Sequence, residues 1–342
     1  MNMHEEMLFR LALKRRRKLD NLSDEGFHEL ELAVREDPKR FVDDAEEEAF
    51  SRLFALLVDY DAKRERIGLV ESDSEFQEAC QRHDKEVAEA AAEILKIDGG
   101  CVDAHLVQIA CGSKDADDRL SRLLDLEHSL EDQLGPIVVG PTGDAYADVF
   151  SRPRLRVLFA VAQGAMLTGR FRMSVRYCEE LLEKAPLDAM GARLTMALAL
   201  SRLEDEDGFN ALAARDAHGN AWLHLGRVIL AYKLGRLSAT RRALMGFDRL
   251  CTGGAYAFLQ PHYMGTYLLD RPVYTPGSFE ETVLAIHEAE PILLDTPELC
   301  NFASKQSEFL ASARAFCKRN GLDWHDWGNW GNWGYWGNNA AW

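Results

Sequence analysis

The chain is poor in proline, and its cysteines lack the spacing that is typical of disulfide-rich or metal-binding proteins. Proline accounts for only 10 of the 342 residues, which favours long helices. The seven cysteines are an odd number and include no C-x-x-C pair. We interpret each of them as a small buried hydrophobic residue, and we expect a reducing compartment.

Long apolar runs and an excess of positive charge are also missing. No uninterrupted apolar segment approaches the length of about 18 residues that a membrane-spanning helix needs. The apolar residues at the N-terminus precede the positive charges and are interrupted by Arg10, which is the wrong order for a secretory signal. The formal net charge is −16, so nucleic acids and anionic membranes would repel the chain. These absences predict a soluble, cytoplasmic protein that binds neither nucleic acid nor membrane.

The short motifs of common enzyme classes are absent as well. The sequence contains no H-E-x-x-H, P-loop, nucleophile-elbow or dinucleotide-binding pattern. Its ten histidines are scattered, so no metal site is predicted. We therefore expect no catalytic residue, no cofactor and no enzymatic activity. An enzyme would need a polar pocket near residues 135–150, which sequence alone does not reveal.

Apolar residues do recur with the spacing of an α-helix along almost the whole chain. Because a single core stops growing at roughly 250–300 residues, this length favours two domains or one array of repeats. Capping boxes at Ser74 and Ser278 open two of the helices. Helices are predicted near residues 4–19, 24–36, 41–63, 74–97, 102–111, 116–133, 154–168, 171–185, 189–203, 206–215, 221–234, 238–250, 255–269, 279–289 and 297–320.

Glycine and proline mark the expected boundaries. Residues 135–143 hold two prolines and three glycines, which predicts a loop or linker at 135–153. This linker separates a helical region at 1–134 from a second helical region at 154–320. Residues 321–342 form a low-complexity tail.

The clearest repeated unit covers residues 155–188, in which two amphipathic helices flank Gly169. This unit resembles the tetratricopeptide-repeat family, whose pattern has a glycine at the turn, then an aromatic residue, small and apolar residues, and a closing proline. The matching positions are Gly169, Phe171, Ser174, Cys178, Leu181 and Pro186.

Two further segments support the resemblance. Trp222 and Gly226 match the family's opening W-x-x-L-G, although the turn residue Gly235 lies two positions later than the register predicts. Residues 94–106 resemble a repeat junction with Gly99 in the place of proline. The resemblance is best over 155–250 and weak over 75–133, and it implies an all-α, helix-turn-helix repeat solenoid with a concave surface.

The resemblance also implies which side chains face the concave groove. Three of them are arginines, which would suit a protein or peptide partner with acidic groups through bidentate pairing. The alternative is that these arginines pair with neighbouring carboxylates along the stack. The expected groove residues are Arg156, Phe159, Gln163, Arg193 and Arg227.

Residues 14–18 form a dense basic block at the end of the first helix. Cations are favourable at a helix C-terminus, where the macrodipole is negative. The alternatives are docking to a nucleic acid, to an acidic partner or to this protein's own acidic surface.

Six of the seven tryptophans lie in the tail. Five of them occur at every third position: Trp324, Trp327, Trp330, Trp333 and Trp336. The tail is interpreted as a flexible low-complexity segment, as a docking element with tryptophan anchors, or as a substrate whose W-G-N units an enzyme modifies. The predicted function is a protein-interaction module whose groove and tail both recognise partners; the alternative is a carrier of a modifiable peptide.

Overall fold

The computed structural model describes residues 3–19, 21–68, 70, 73–216, 219–260 and 267–324. Within these ranges every regular element is helical, with sixteen α-helices and two short 3-10 helices. The all-α prediction is confirmed for this part of the chain. No helix within the same ranges combines the length and the apolar character that crossing a bilayer requires.

Contacts divide the described residues into two compact units. The first unit takes the residues up to Ala160 together with Lys184–Pro186, and the second takes Val161–Glu183 and the residues from Leu187 onward. The boundary falls inside one helix, Arg152–Leu167. The domain limits at 134, 153 and 320 stay predictions.

Polar side chains cap the starts of several helices in the first unit. Ser23, Asp44 and Asp115 each accept a hydrogen bond from a backbone N–H in the first turn that follows them. The helices are α1 (Met3–Lys18), α2 (Asp24–Glu36), α3 (Ala45–Ile67), α4 (Asp73–Ile97), α5 (Val102–Gly112), α6 (Ala116–Leu134) and the first part of α7 (Arg152–Leu167), with 3-10 turns at Pro38–Phe41 and Ala145–Ala147. α1 packs on α2 and α3, α4 lies between α3 and α5, and α3 also touches α5.

The second unit continues the pattern of paired helices. It holds the rest of α7, most of α8 (Phe171–Lys184), and then α9 (Ala192–Arg202), α10 (Glu206–Ala213), α11 (Ala221–Lys233), α12 (Leu237–Leu250), α13 (Gly254–Leu259), α14 (Phe279–Leu294), α15 (Pro297–Ser304) and α16 (Ser307–Asn320). α9 packs on α10 and α11, and α11 packs on α12 and α14. One apolar core joins these helices apart from α10, with Leu225, Phe247, Phe258 and Phe309 fully buried in it, and Phe209 and Leu212 of α10 belong to a second core.

Glycines make the turns between paired helices. Gly169 (φ 71°) separates α7 from α8, and Gly235 (φ 70°) separates α11 from α12. Both take the left-handed conformation, which glycine adopts without a steric penalty. The packing is compatible with a helical repeat, and the continuous solenoid stays a prediction.

Four predicted helices are wrong in extent. Those expected at 41–63 and 279–289 are observed at Ala45–Ile67 and Phe279–Leu294. The helix expected at 255–269 ends at Leu259, because Gln260 precedes a proline and takes an extended conformation (φ −127°, ψ 115°). The helix expected at 297–320 is two helices, because Gln306 is extended (φ −82°, ψ 107°). Its side-chain amide donates to the carbonyl of Phe302 at 2.9 Å, which satisfies the end of α15.

The cysteines lie inside the helical packing, as their apolar interpretation predicts. Five are buried and two are partly buried. Burial raises the pKa of four thiols to about 12, those of Cys111, Cys178, Cys251 and Cys300, and that of a fifth, Cys101, to about 11.

Candidate functional site

Residues 321–324, where the Trp-rich tail begins, form the candidate site and are called the tail root below. α16 ends at Gly321, whose left-handed conformation (φ 63°, ψ 30°) turns the chain back. The backbone N–H of Leu322 then donates to the carbonyl of Cys317 at 3.1 Å, and the Cys317 thiol lies 3.0 Å from the carbonyl oxygen of Leu322. The tail root therefore starts as a fixed continuation of α16.

Trp324 is seated on the second unit by an aromatic ring, a cation and a nearby backbone hydrogen bond. Its ring centroid lies 6.4 Å from that of Tyr256, and the guanidinium of Arg314 lies 5.5 Å from the Trp324 ring. The Tyr256 hydroxyl donates to the carbonyl of Asp323 at 2.9 Å. Burial raises the pKa of Tyr256 to about 12, so this hydroxyl keeps its proton at neutral pH. The first tryptophan of the series is thus anchored by the fold.

The ring beneath Trp324 belongs to an aromatic cluster. Ring centroids of Phe279 and Phe316 lie 5.1 Å apart, and both lie within 6.3 Å of Tyr256. Gly253, with φ 68°, lies against this cluster. A Cβ atom at Gly253 would lie 2.7 Å from ring atoms of both Phe279 and Phe316. The cluster therefore requires glycine at this position.

We expect Gly253→Ala to lower the free energy of unfolding by about 2–4 kcal/mol, because the left-handed strain adds to a steric clash. Urea unfolding followed by circular dichroism measures it. The matched control is Gly321→Ala, which has a similar φ (63°) but nothing within 4 Å of the added Cβ. Its expected loss is about 1–2 kcal/mol from strain alone. Equal losses in the two variants would contradict the close packing at Gly253.

A buried polar network surrounds Glu288 in the middle of α14. Glu288 accepts a bidentate pair of hydrogen bonds from Arg271 at 2.8 and 2.9 Å. It also accepts from the Trp222 indole and the Tyr267 hydroxyl, each at 2.7 Å. Arg271 further donates to the hydroxyl of Thr195 at 2.7 Å. We call these five residues the Glu288 cluster.

Electrostatics keep the Glu288 cluster ionised. Burial by itself would raise the pKa of Glu288, but the charge of Arg271 outweighs it and the pKa is lowered. Burial would likewise lower the pKa of Arg271, and Glu288 raises it instead. Four donors fill the lone-pair positions of the carboxylate, so the cluster is suited to hold segments together rather than to react. It ties residues 267–271 to α9, α11 and α14.

Two of the expected groove residues lie inside the first unit. Arg156 and Phe159 are both about 1% exposed. Arg156 donates to Glu6 at 2.7 Å and to Asp103 at 2.9 Å. This is the pairing with carboxylates that the sequence left as the alternative, and it makes Arg156 inaccessible to a partner. For both side chains, the predicted position on the groove surface is therefore corrected to a position in the core.

The other expected groove residues lie in the second unit. Gln163 is partly buried and its amide donates to the Tyr267 hydroxyl. Arg193 is 30% exposed and lies 3.5 Å from Asp188, and Arg227 is exposed with its guanidinium 5.9 Å from the Phe209 ring. Of the tail tryptophans, Trp324 is described above. Trp327, Trp330, Trp333 and Trp336 lie outside the described residues.

The basic block at residues 14–18 is neutralised by the chain itself. Lys14 pairs with Glu46 at 2.6 Å, and both Arg15 and Lys18 pair with Asp43 at 3.0 and 3.2 Å. Arg16 pairs with Asp24 at 3.0 Å, and the guanidinium of Arg17 lies 4.3 Å from the centroid of the Phe150 ring. Of the alternatives for this block, docking to the protein's own acidic surface is the one observed.

The described residues bring together no three His, Cys, Asp or Glu side chains in a group that could hold a metal ion. Compared with protein-family models, with curated proteins and with solved structures, the chain finds no match in any of the three. The tetratricopeptide resemblance therefore stays a prediction from the sequence.

Proposed function

We propose that the protein is a helical interaction module in which the Trp-rich tail is the principal recognition element. The seating of Trp324 carries this proposal, because it is the first of the five regularly spaced tryptophans and the fold presents it at a fixed place. Tryptophan combines a large apolar area with a hydrogen-bond donor and is a frequent anchor of protein interfaces. A series of such rings that begins at an anchored position suits repeated capture of a partner surface.

The helical packing supports the same function. First helices of successive pairs adjoin in each unit, α3 with α5 and α9 with α11. This is the arrangement expected of stacked helix hairpins of a TPR-like solenoid. Arg193 and Arg227 then belong to the wall of the groove, where they suit a peptide with carboxylate groups. A preformed helical surface binds such a peptide without an ordering cost of its own.

Affinity purification from the native host tests this function with three forms of the protein. They are the full chain, a truncation after Trp324 and a truncation after Gly321. The truncation after Trp324 keeps every contact of the tail root, whereas the shorter form removes the seated tryptophan as well. We expect at least one specific partner to be lost with the truncation after Trp324. The same partners with all three forms would contradict a recognition role for the tail.

A second candidate function is a carrier whose tail is the substrate of a modifying enzyme. The sequence favours it in one respect, since W-G-N occurs at residues 327–329, 330–332 and 336–338 and offers the same local chemistry three times. The intact mass of the protein from native cells separates the two candidates. A mass shift confined to residues 321–342 would support the carrier, and an unmodified tail would support the interaction module.

A further inference from the structure

Exposed cations gather on α12 and α16 of the second unit. Six residues form this surface, which we call the basic face, and each of them is exposed. They are Arg241, Arg242 and Arg249 on α12, Lys305 just before α16, and Lys318 and Arg319 at its end. The only carboxylates on the two helices are Asp248 and Glu308. The basic face is therefore a positive surface on a chain whose net charge is −16.

The two helices lie side by side and run in the same direction. They pack against each other, and Arg241 donates to the Gln306 side chain at 2.8 Å near the start of α16. Beyond their other ends, Tyr256 of α13 contacts Asp323 of the tail root. The cations are consequently spread along one pair of helices that leads to the seated Trp324.

Among the described residues, the cations of the basic face differ in their ion pairs from those of the block at residues 14–18. At residues 14–18, four of the five cations pair with carboxylates. Within the part of the chain that the structure describes, none of the six residues of the basic face has an ion pair with a carboxylate. Asp248 instead accepts a hydrogen bond from the backbone of Ala255 at 2.9 Å.

Helix dipoles explain only part of this arrangement. Arg249, Lys318 and Arg319 lie in or near the last turns of their helices, where positive charge is favourable. Arg241 and Arg242 lie in the interior of α12, where the dipole contributes little. The dipole therefore does not account for their placement without an ion pair among the described residues.

We propose that the basic face binds an acidic segment of a partner protein. This inference rests on the proposed interaction function and specifies its surface and its partner chemistry. Leu237 and Leu250, at the two ends of α12, are 52% and 56% exposed, so the helix that carries the arginines also exposes apolar side chains. A peptide with acidic residues between apolar ones complements this pattern. The phosphates of a nucleic acid would leave both leucines unused and would face the field of an acidic chain.

Binding of a labelled peptide to the full chain tests the inference. The probe is a fluorescein-labelled, Glu-rich peptide with one leucine near each end, measured by fluorescence anisotropy. The variant is Arg242→Glu/Arg249→Glu. Its matched control is Arg172→Glu/Arg176→Glu, which changes the same net charge at two exposed arginines of α8. We expect at least tenfold weaker binding for the α12 variant, little change for the α8 control, and weaker binding at higher salt.

Each other outcome overturns the inference in a defined way. Absence of binding to the wild-type chain, or equal weakening by both variants, removes the basic face as a specific site. Tighter binding of single-stranded DNA than of the peptide, abolished by the α12 variant, assigns the face to nucleic acid. Salt-sensitive self-association that only the α12 variant abolishes assigns it to a second copy of the chain. If native partners depend on the tail but not on Arg242 and Arg249, this inference fails while the proposed function stands.

Discussion

Replacing Glu288 with alanine is expected to lower the free energy of unfolding by about 3–5 kcal/mol, the cost of leaving a buried charge without its partner. Arg271 is buried, and its bidentate pair with Glu288 is its charge-compensating contact in the described structure. The Trp222 indole and the Tyr267 hydroxyl lose an acceptor in the same variant. Urea unfolding monitored by circular dichroism measures the change.

Two controls separate charge compensation from simple loss of packing. In Glu288→Met/Arg271→Met both charges are removed, and we expect a smaller loss than for Glu288→Ala because no charge is left buried. Glu206→Ala removes the carboxylate of an exposed ion pair with Arg236 and should change stability little. A loss for Glu288→Ala as small as that for Glu206→Ala would show that the Glu288 cluster does not hold the second unit together.

The substitution Arg156→Met is expected to destabilise the first unit by about 3–5 kcal/mol instead of weakening partner binding. Glu6 has no exposed surface, and it accepts hydrogen bonds from Arg156 at 2.7 Å and from Arg152 at 3.1 Å. Asp103 is 1% exposed and depends on Arg156 as well. Without Arg156, Glu6 keeps the guanidinium of Arg152, and Asp103 loses the ion pair with Arg156. Chemical unfolding of the purified variant gives the size of the effect.

Arg227→Met is the comparison that tests whether Arg156 stabilises the fold or binds a partner. Arg227 is exposed and lies over the Phe209 ring, so its replacement should leave stability nearly unchanged. Under conditions in which both variants are folded, Arg156→Met should retain the partners of the wild-type chain. Normal stability of Arg156→Met together with lost binding would return Arg156 to the groove and refute its structural role.

Local signals in the sequence predict most of the helices, and local signals also explain the errors at Gln260 and Gln306. The apolar period and the caps place α2, α5 and α6 within a residue of their observed ends. The apolar period continues across Gln306, however. It gives no indication that the Gln306 side chain bonds to the carbonyl of Phe302 at the end of α15. The proline that follows Gln260 was available in the sequence as a helix-terminating signal and outweighs the apolar period there.

The candidate sites depend on long-range contacts that the sequence does not display. Glu288 meets Trp222 across 66 positions, and Tyr256 meets Asp323 across 67. The surface charge of the basic residues likewise depends on contacts that the sequence does not display. The contiguous block at 14–18 is conspicuous in the sequence but is neutralised in the fold. The basic face becomes visible only when α12 and α16 are placed side by side.

The burial of the cysteines has a practical consequence for studying the tail. Thiol reagents attack the thiolate, and a thiol whose pKa is raised by burial is almost entirely protonated at neutral pH. Cys111, Cys178, Cys251 and Cys300 fall in this class. A cysteine introduced at an exposed position of the tail would be alkylated far faster than these four. Once the partly buried Cys80 is replaced, a fluorescent or spin label can report where the tail goes when a partner binds, with these four native thiols left in place.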